Sequence, residues 1–324
     1  MRGISISELG TIDVMKLVTN LPKPTPTGKQ VLINVKYAGV NPVDTYIRSG
    51  AFGKATPEFP FTPGYDGSGI VHQIGDQVTQ IKEGDRVWFV KCLTGSSAEY
   101  CLCNEEAVGG LPEPSSFEVG AMIGTPYMTA YRAIFQKAHV KKGETVLIHG
   151  ATGGVGNACV QMCKNIGCRV IGTAGSTEGA DMLVKLGADA VFNHRTDGYI
   201  DKIAKSGEKI NVIIEMLANV NLQSDLELIE PNGRIAIVGN RGNVEINPRL
   251  MMKNEITVTG VMAGAISLEE LEESLQCKEY IKQGLQAGWI KPVLWKAFEL
   301  QQIGQAHEEI ITNKGAKGQM VLKI

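Results

Sequence analysis

The stretch Thr145-Val-Leu-Ile-His149-Gly150-Ala-Thr-Gly153-Gly154-Val-Gly156 decides the fold. A short apolar, β-branched run enters a glycine turn. The turn opens into a segment with helical apolar spacing at Val155, Cys159, Met162 and Ile166. Strand, glycine turn and helix in that order are the context a dinucleotide-binding fingerprint requires. Glycines let a pyrophosphate approach the backbone, and the helix N-terminus offers it unpaired N–H groups and a positive dipole end.

Working outward, the same unit repeats from Lys141 to Ala263. Strands are expected at Thr145–His149, Arg169–Thr173, Ala190–Phe192, Asn211–Glu215, Arg234–Val238 and Ile256–Val261, with helices such as Ala158–Ile166 and Ala180–Leu186 between them. Alternation of strand and helix predicts an α/β fold with a doubly wound parallel sheet. The second strand ends in Gly172-Thr-Ala-Gly175-Ser176-Thr177, with no carboxylate where an NAD site places one for the ribose 2′-hydroxyl. Ser176 and Thr177 suit a 2′-phosphate, and His194 and Arg195 after the third strand add cationic character, so NADPH is the expected cofactor. Glu178 reads as a first-turn residue complementing the helix dipole.

Before this region the pattern changes. Gln30–Tyr37, Ser68–Ile74, Asp85–Phe89 and Ala98–Cys103 are strand-like runs separated by Gly, Pro and Asp turns, which predicts a compact, mostly β unit. After it come a helix with apolar Leu268, Leu271, Leu275, Ile281 and Leu285, a strand, a short helix and a closing strand, Gly318–Lys323. That tail is expected to fold back onto the first unit. The division is residues 1–123, completed by 264–324, around a cofactor unit at 124–263.

A chain of 324 residues with net charge −2 and 20% charged residues is neither disordered nor a polyanion-binding surface. No run approaches the roughly 20 apolar residues of a membrane span, and the start has no secretory apolar core. Seven cysteines, an odd number, do not outline a disulfide framework, so free thiols in the cytoplasm are expected. They do not outline a zinc site either. Cys101 and Cys103 alternate on one strand, Cys159 and Cys163 share a helix face, and Cys92, Cys168 and Cys277 stand apart. Without a Lewis acid, reduction of an electron-poor acceptor suits the chain better than alcohol oxidation.

Pro63-Gly64-Tyr65-Asp66-Gly67-Ser-Gly69-Ile-Val71, continuing through Gly75-Asp76 to Gly84-Asp85-Arg86-Val87, resembles the zinc-free quinone oxidoreductases of the medium-chain dehydrogenase/reductase superfamily. Val191-Phe-Asn-His-Arg195, Ile214-Glu-Met-Leu-Ala-Asn-Val-Asn-Leu222 and Glu245-Ile-Asn-Pro-Arg249 are similar to the zeta-crystallin branch in particular. The resemblance covers essentially the whole chain. It implies a GroES-like catalytic unit built from both chain ends, a central Rossmann unit, and the nicotinamide in the cleft between them. Zinc-containing relatives carry Cys after the first Gly-Val and His-Glu after Pro-Gly; this chain has Asn41 after Gly39-Val40, and Tyr65-Asp66.

By the same match, Tyr46 packs near the nicotinamide. Thr152, Gly153, Gly154, Val155 and Gly156 hold the pyrophosphate, and Gly175 and His194 the adenosine end. Asn221, Val238, Gly239, Asn240, Arg241, Val261, Met262 and Ala263 line the remaining groove. The family often has Ser-Arg where this chain has Asn240-Arg241. The loop Gly53–Phe61 differs in composition at the substrate cleft. Asn41, Asp44, Tyr46, Tyr65 and Thr125 are the cleft candidates, with Tyr46 or Asn41 expected to hydrogen-bond the acceptor oxygen.

The resemblance implies one-electron reduction of quinones, ortho-quinones favoured, with a semiquinone product. An NADPH-dependent enone or alkenal reductase would use the same groove. AU-rich RNA binding is a further activity associated with zeta-crystallin-like proteins, although no Lys/Arg cluster marks it here. The apolar edge strand Ile256–Val261 and the family together imply a homo-oligomer, a tetramer.

Overall fold

The computed structural model describes residues 1–51, 58–262, 268–312 and 317–324, with backbone alone over 268–273. Strands β1 (Gly3–Ile6) and β2 (Met15–Val18) pair antiparallel near the N-terminus; neither was among the expected strands. β3 (Gln30–Val40) runs through the first unit, ending at Asn41, the N-cap of helix α1 (Pro42–Ser49). β4 (Asp66–Ile74), β5 (Arg86–Val90), β6 (Tyr100–Asn104) and β7 (Val108–Gly110) follow, then α2 (Phe117–Ala121) and α3 (Gly124–Tyr131). The four expected strands are all present. β3 runs three residues past the expected end at Tyr37, because a second partner strand takes over its far half.

The central region gives β8 (Thr145–Ile148), α4 (Gly154–Ile166), β9 (Arg169–Ala174), α5 (Thr177–Lys185), β10 (Ala190–Asn193), α6 (Tyr199–Lys205), β11 (Ile210–Glu215), α7 (Ala218–Leu228), β12 (Ile229–Ile237), α8 (Pro248–Asn254) and β13 (Thr257–Gly260). The sheet order is β10-β9-β8-β11-β12-β13, with every neighbour parallel. Counted locally this is 3-2-1-4-5-6, the Rossmann order. Val146, Leu147 and Ile148 are wholly buried because helices cover both faces of a parallel sheet. Each such side chain contributes about 1.5–3 kcal/mol by leaving water. Helix boundaries follow their caps rather than the apolar pattern. α4 begins at Gly154, four residues before the expected Ala158, and α5 begins after Ser176, whose Oγ accepts from Gly179 N at 3.2 Å.

The tail supplies α9 (Leu268–Gln286), β14 (Leu294–Glu299), α10 (Ile303–Thr312) and β15 (Gln319–Lys323). β15 pairs antiparallel with the far half of β3, Met320 opposite Val40 and Lys323 opposite Tyr37, while β6 pairs with the near half. The tail strands therefore return to the first sheet. α9 instead joins the core around Ala130, Ile134, Met162 and Cys163 through Cys277, Ile281 and Leu285. Its buried face includes Ser274 rather than the expected Leu275, which is 42% exposed; the side chains of Leu268 and Leu271 lie outside the described residues. Among the described residues no helix is long and apolar enough to cross a membrane.

All seven cysteines are free. Cys92 Sγ donates to Gly64 O and Cys168 Sγ to Lys141 O, each at 3.4 Å, and the Sγ atoms of Cys101 and Cys103 lie 3.9 Å apart.

Candidate active site

Most of the expected groove residues follow the carboxyl ends of the parallel strands. The strand order reverses between β8 and β11, the point at whose carboxyl ends open α/β sheets bind ligands. Thr152 to Gly156 follow β8, Gly175 and Ser176 follow β9, and His194 and Arg195 follow β10. Asn221 lies on α7, Val238 to Arg241 follow β12, and Val261 and Met262 follow β13. Ala263 and residues 52–57 of the cleft loop lie outside the described residues.

The turn glycines have separate tasks. A Cβ on Gly156 would stand 2.5 Å from Gly150 O and 2.6 Å from Ala151 Cα, so this glycine lets helix and strand pack closely. A Cβ on Gly154 would meet Gln319 Oε1 at 2.3 Å. At Gly153 the nearest atom would be Gly150 O at 3.6 Å, an ordinary contact, so the space over this residue is open. Gly153 is also the N-cap of the 13-residue α4 and supplies no side-chain cap. Open space above uncapped N–H groups fits an anionic pyrophosphate.

At the end of β9 the cations converge on a glycine. A Cβ on Gly175 would lie 2.9 Å from His194 Nε2 and 3.1 Å from Arg195 Nε. Burial and the neighbouring Arg195 charge hold the His194 pKa below its usual value, so Arg195 carries the positive charge at neutral pH. Ser176 spends one lone pair on its helix cap. Glu178 is turned to Lys317 at 3.3 Å, its carboxyl kept ionised by its own backbone N–H, Ser176 and Lys317.

Across the crevice, Asn41, Asp44, Asp66 and Thr125 form one bonded group. Asn41 N donates to Asp44 Oδ2 at 2.8 Å, Asn41 Nδ2 to Asp66 Oδ1 at 2.8 Å, and Thr125 N to Asp66 Oδ2 at 2.6 Å. Gln319 Nε2 donates to Asn41 Oδ1 at 3.0 Å. Burial pushes the Asp66 carboxyl up to about 6, and burial followed by the Asp66 charge raises Asp44 well above the carboxylate range. Asp44 Oδ1 and Thr125 Oγ1 are buried without a partner. Tyr65 is half-buried beside Asp44 and Asp66, its hydroxyl pushed up to about 12 chiefly by burial. Tyr46 is half-buried on α1, two residues beyond Asp44.

Asn41 is thus held on both ends of its amide, so it is less available to an acceptor oxygen than its position suggested. Two members of the group, Asp66 and Gln319, were not among the site candidates. Asp66 had a signal in the glycines around it: a Cβ on Gly39 would stand 2.3 Å from Asp66 Oδ1, and one on Gly124 2.6 Å from its Cβ. Gln319 had none, since it arrives from the far end of the chain.

The donor set does not suit zinc. The positions that hold Cys and His-Glu in zinc-containing relatives carry here the Asn41 amide, the Tyr65 hydroxyl, whose pKa burial raises, and the Asp66 carboxyl, and Asn41 and Asp66 are hydrogen-bonded to each other. The neighbouring Cys92 donates Sγ–H to Gly64 O, and its pKa is raised by Cys101 and burial, so it stays a thiol.

Comparison with known proteins agrees with this architecture. The alcohol dehydrogenase GroES-like domain family matches residues 27–132, and the zinc-binding dehydrogenase family matches residues 154–279. The quinone oxidoreductase of Homo sapiens is 46% identical over 99% of this chain and 97% of its own length. That of Sus scrofa is 48% identical over the same shares. The crystal structure of Escherichia coli quinone oxidoreductase complexed with NADPH superposes with a TM-score of 0.89 at 26% identity, covering all of both chains.

Proposed function

This chain belongs to the quinone oxidoreductase family, an enzyme family with a GroES-like and a Rossmann-like domain, and we propose that it reduces quinones with NADPH and without zinc. NADPH, bound, supplies the reducing equivalents at its nicotinamide. The protein supplies orientation and exclusion of water. The observation that carries the reading is the Asn41–Asp66 hydrogen bond, with Gln319 holding the other end of the Asn41 amide, which fills metal-ligand positions with groups that hold and orient rather than ligate.

Thr152 to Gly156 hold the pyrophosphate, and Gly175, Ser176, His194 and Arg195 the 2′-phosphate end. Asn221, Val238 to Arg241, Val261 and Met262 line the rest of the groove. Tyr46 packs against the nicotinamide, and Tyr46 and Tyr65 bring hydroxyls to the acceptor. Asp44, kept protonated by burial, holds a proton next to the cleft. Residues 1–123 with 264–324 form the catalytic domain, and 124–263 the cofactor domain.

The favoured acceptors are ortho-quinones taking one electron each, so one NADPH yields NADP⁺, one proton and two semiquinone anions. The seven free thiols support a reducing, cytoplasmic setting. β13 is the open edge of the parallel sheet, flanked by exposed Met252 and Met262, and supports a homo-oligomer, a tetramer.

NADPH oxidation with phenanthrenequinone, run beside NADH and a simple enone in chelating buffer, tests the reading. NADPH-specific turnover of the quinone is expected. Activity with the enone alone would replace the quinone by an activated alkene, and loss of activity on chelation would overturn the zinc-free claim.

A further inference from the structure

Directly beneath the crevice lies a buried polar group that the proposed chemistry does not use. His149 follows β8 and Glu215 ends β11, the two strands on either side of the point where the sheet order reverses; Asp225 comes from α7. All three are 0–2% exposed. His149 Nε2 lies 2.9 Å from Asp225 Oδ1 and 3.8 Å from Glu215 Oε2. Glu215 Oε1 accepts from Leu217 N and from Asn221 Nδ2, and Tyr199 Oη donates to Asn221 Oδ1 at 3.0 Å.

Glu215 Oε2 and Asp225 Oδ2 have no hydrogen-bond partner, although ligand oxygens of the two carboxyl groups lie within 4.8 Å of each other and of His149. Two ionised carboxylates this close and this deeply buried repel each other, whereas a carboxylic acid beside a carboxylate can share its proton. We propose that Glu215 and Asp225 share one proton, and that Glu215 in its protonated form is a positioning residue that orients Asn221 toward the cofactor groove. With the proton on Glu215 Oε2 and the second His149 contact given by Nε2–H to Asp225 Oδ1, both orphan oxygens are satisfied at once. Asn221 is then fixed, amide nitrogen to Glu215 and amide oxygen to Tyr199, with one N–H left for a ligand.

The groups facing the pair are His149 from β8, Tyr199 from α6 and, beyond His149, His194 and Arg195 after β10. Burial keeps His149 neutral and the Tyr199 hydroxyl protonated, so the pair itself is what titrates near neutrality. Loss of its proton places a second buried negative charge under a crevice built for phosphates, where like charges repel. A divalent cation held by His149, Glu215 and Asp225, whose ligand atoms lie within 4.8 Å of one another, is the competing account of the same oxygens.

This inference rests on the proposed place of Asn221 in the groove. NADPH affinity, read by cofactor fluorescence from pH about 6 to about 9, is expected to fall about tenfold above neutrality in the wild type. In E215Q, whose amide reproduces the protonated acid, it should stay within about twofold across that range. In E215A it should be about tenfold weaker throughout, with circular dichroism confirming a folded chain. A pH-independent wild type, a titrating E215Q, or one equivalent of tightly bound metal by elemental analysis would overturn the proposal. A wild type that binds no NADPH would remove the proposed function instead. Infrared spectroscopy of the cofactor-free protein then decides the shared proton: a protonated-carboxyl C=O band lost in E215Q supports it, and absence of that band at neutral pH sinks it.

Discussion

Gln319 donates its side-chain amide to Asn41 Oδ1 at 3.0 Å, joining residues 278 positions apart. The same nitrogen donates to Val40 O at 3.1 Å, Gln319 Oε1 sits against Gly154, and Gly318 N donates to Thr152 O at 2.8 Å. One short segment of the tail thus ties the glycine turn of the cofactor domain to the floor of the catalytic domain.

Gly154→Ala is expected to destabilise the protein by about 1–3 kcal/mol, because the new methyl group displaces a side chain that is itself hydrogen-bonded. Gln319→Ala alone is also destabilising, through the lost bonds to Asn41 and Val40. The double variant should be more stable than the sum of the two predicts, with a coupling of about 0.5–3 kcal/mol measured by urea unfolding. Strict additivity would show that the two residues do not meet.

Arg195→Ala should raise the KM for NADPH by about tenfold to a hundredfold, the worth of one or two charge-assisted hydrogen bonds, and leave NADH kinetics nearly unchanged. Equal loss with both cofactors would move Arg195 away from the 2′-phosphate. Gly175→Ala should act in the same direction, since its methyl group would lie within 2.9 Å of His194 Nε2 and 3.1 Å of Arg195 Nε.

Asp66→Ala leaves Asn41 Nδ2 and Thr125 N without their buried acceptor, a loss of about 1–3 kcal/mol for each donor. A fall in Tm together with a fall in kcat is expected. An unchanged kcat in a folded variant would show that this group does not set the cleft.

The pH dependence of stability has a definite sign. Burial pushes Glu215 and Asp225 up to about 7, so the folded state binds more protons than the unfolded one and stability falls as pH rises through that value. His149 and His194 are shifted downward, and their opposite contribution is complete above their ordinary value of about 6.5. Between pH about 6.5 and about 8 the raised carboxyls therefore set the slope, Asp44 and Asp66 acting in the same direction, and the Glu215–Asp225 proton contributes an expected loss of about 1 kcal/mol, or roughly 2 °C in Tm. Calorimetry should find this slope reduced in Glu215→Gln.

Light scattering at low micromolar concentration should return the mass of a homo-oligomer. A monomer would leave the open edge at β13 to some other account.

Much of the fold was legible in the chain. All six parallel strands were expected, each within a few residues of its observed ends except β12, which begins five residues early at Ile229. The strand, glycine turn and helix over residues 145–166 were equally legible, and the residues proposed for the groove stand after the strands they were expected to follow. The helix starts were not, because the N-cap positions, Gly153 without a capping side chain and Ser176 with one, leave no mark on an apolar pattern. β1 and β2 were missed because each is only four residues long, too short for a strand pattern to register.

The sequence by itself determined the order of strand, turn and helix, and with it the doubly wound sheet. Those signals are local: the two periodicities of side-chain direction and the steric freedom of glycine act within a few residues. Only the tertiary structure decided which polar groups meet. Asn41 with Asp66 and Gln319, and His149 with Glu215 and Asp225, are joined across 25 to 278 positions and shielded from water. Their protonation and their partners follow from desolvation and mutual distance, and both properties exist only once the elements have packed.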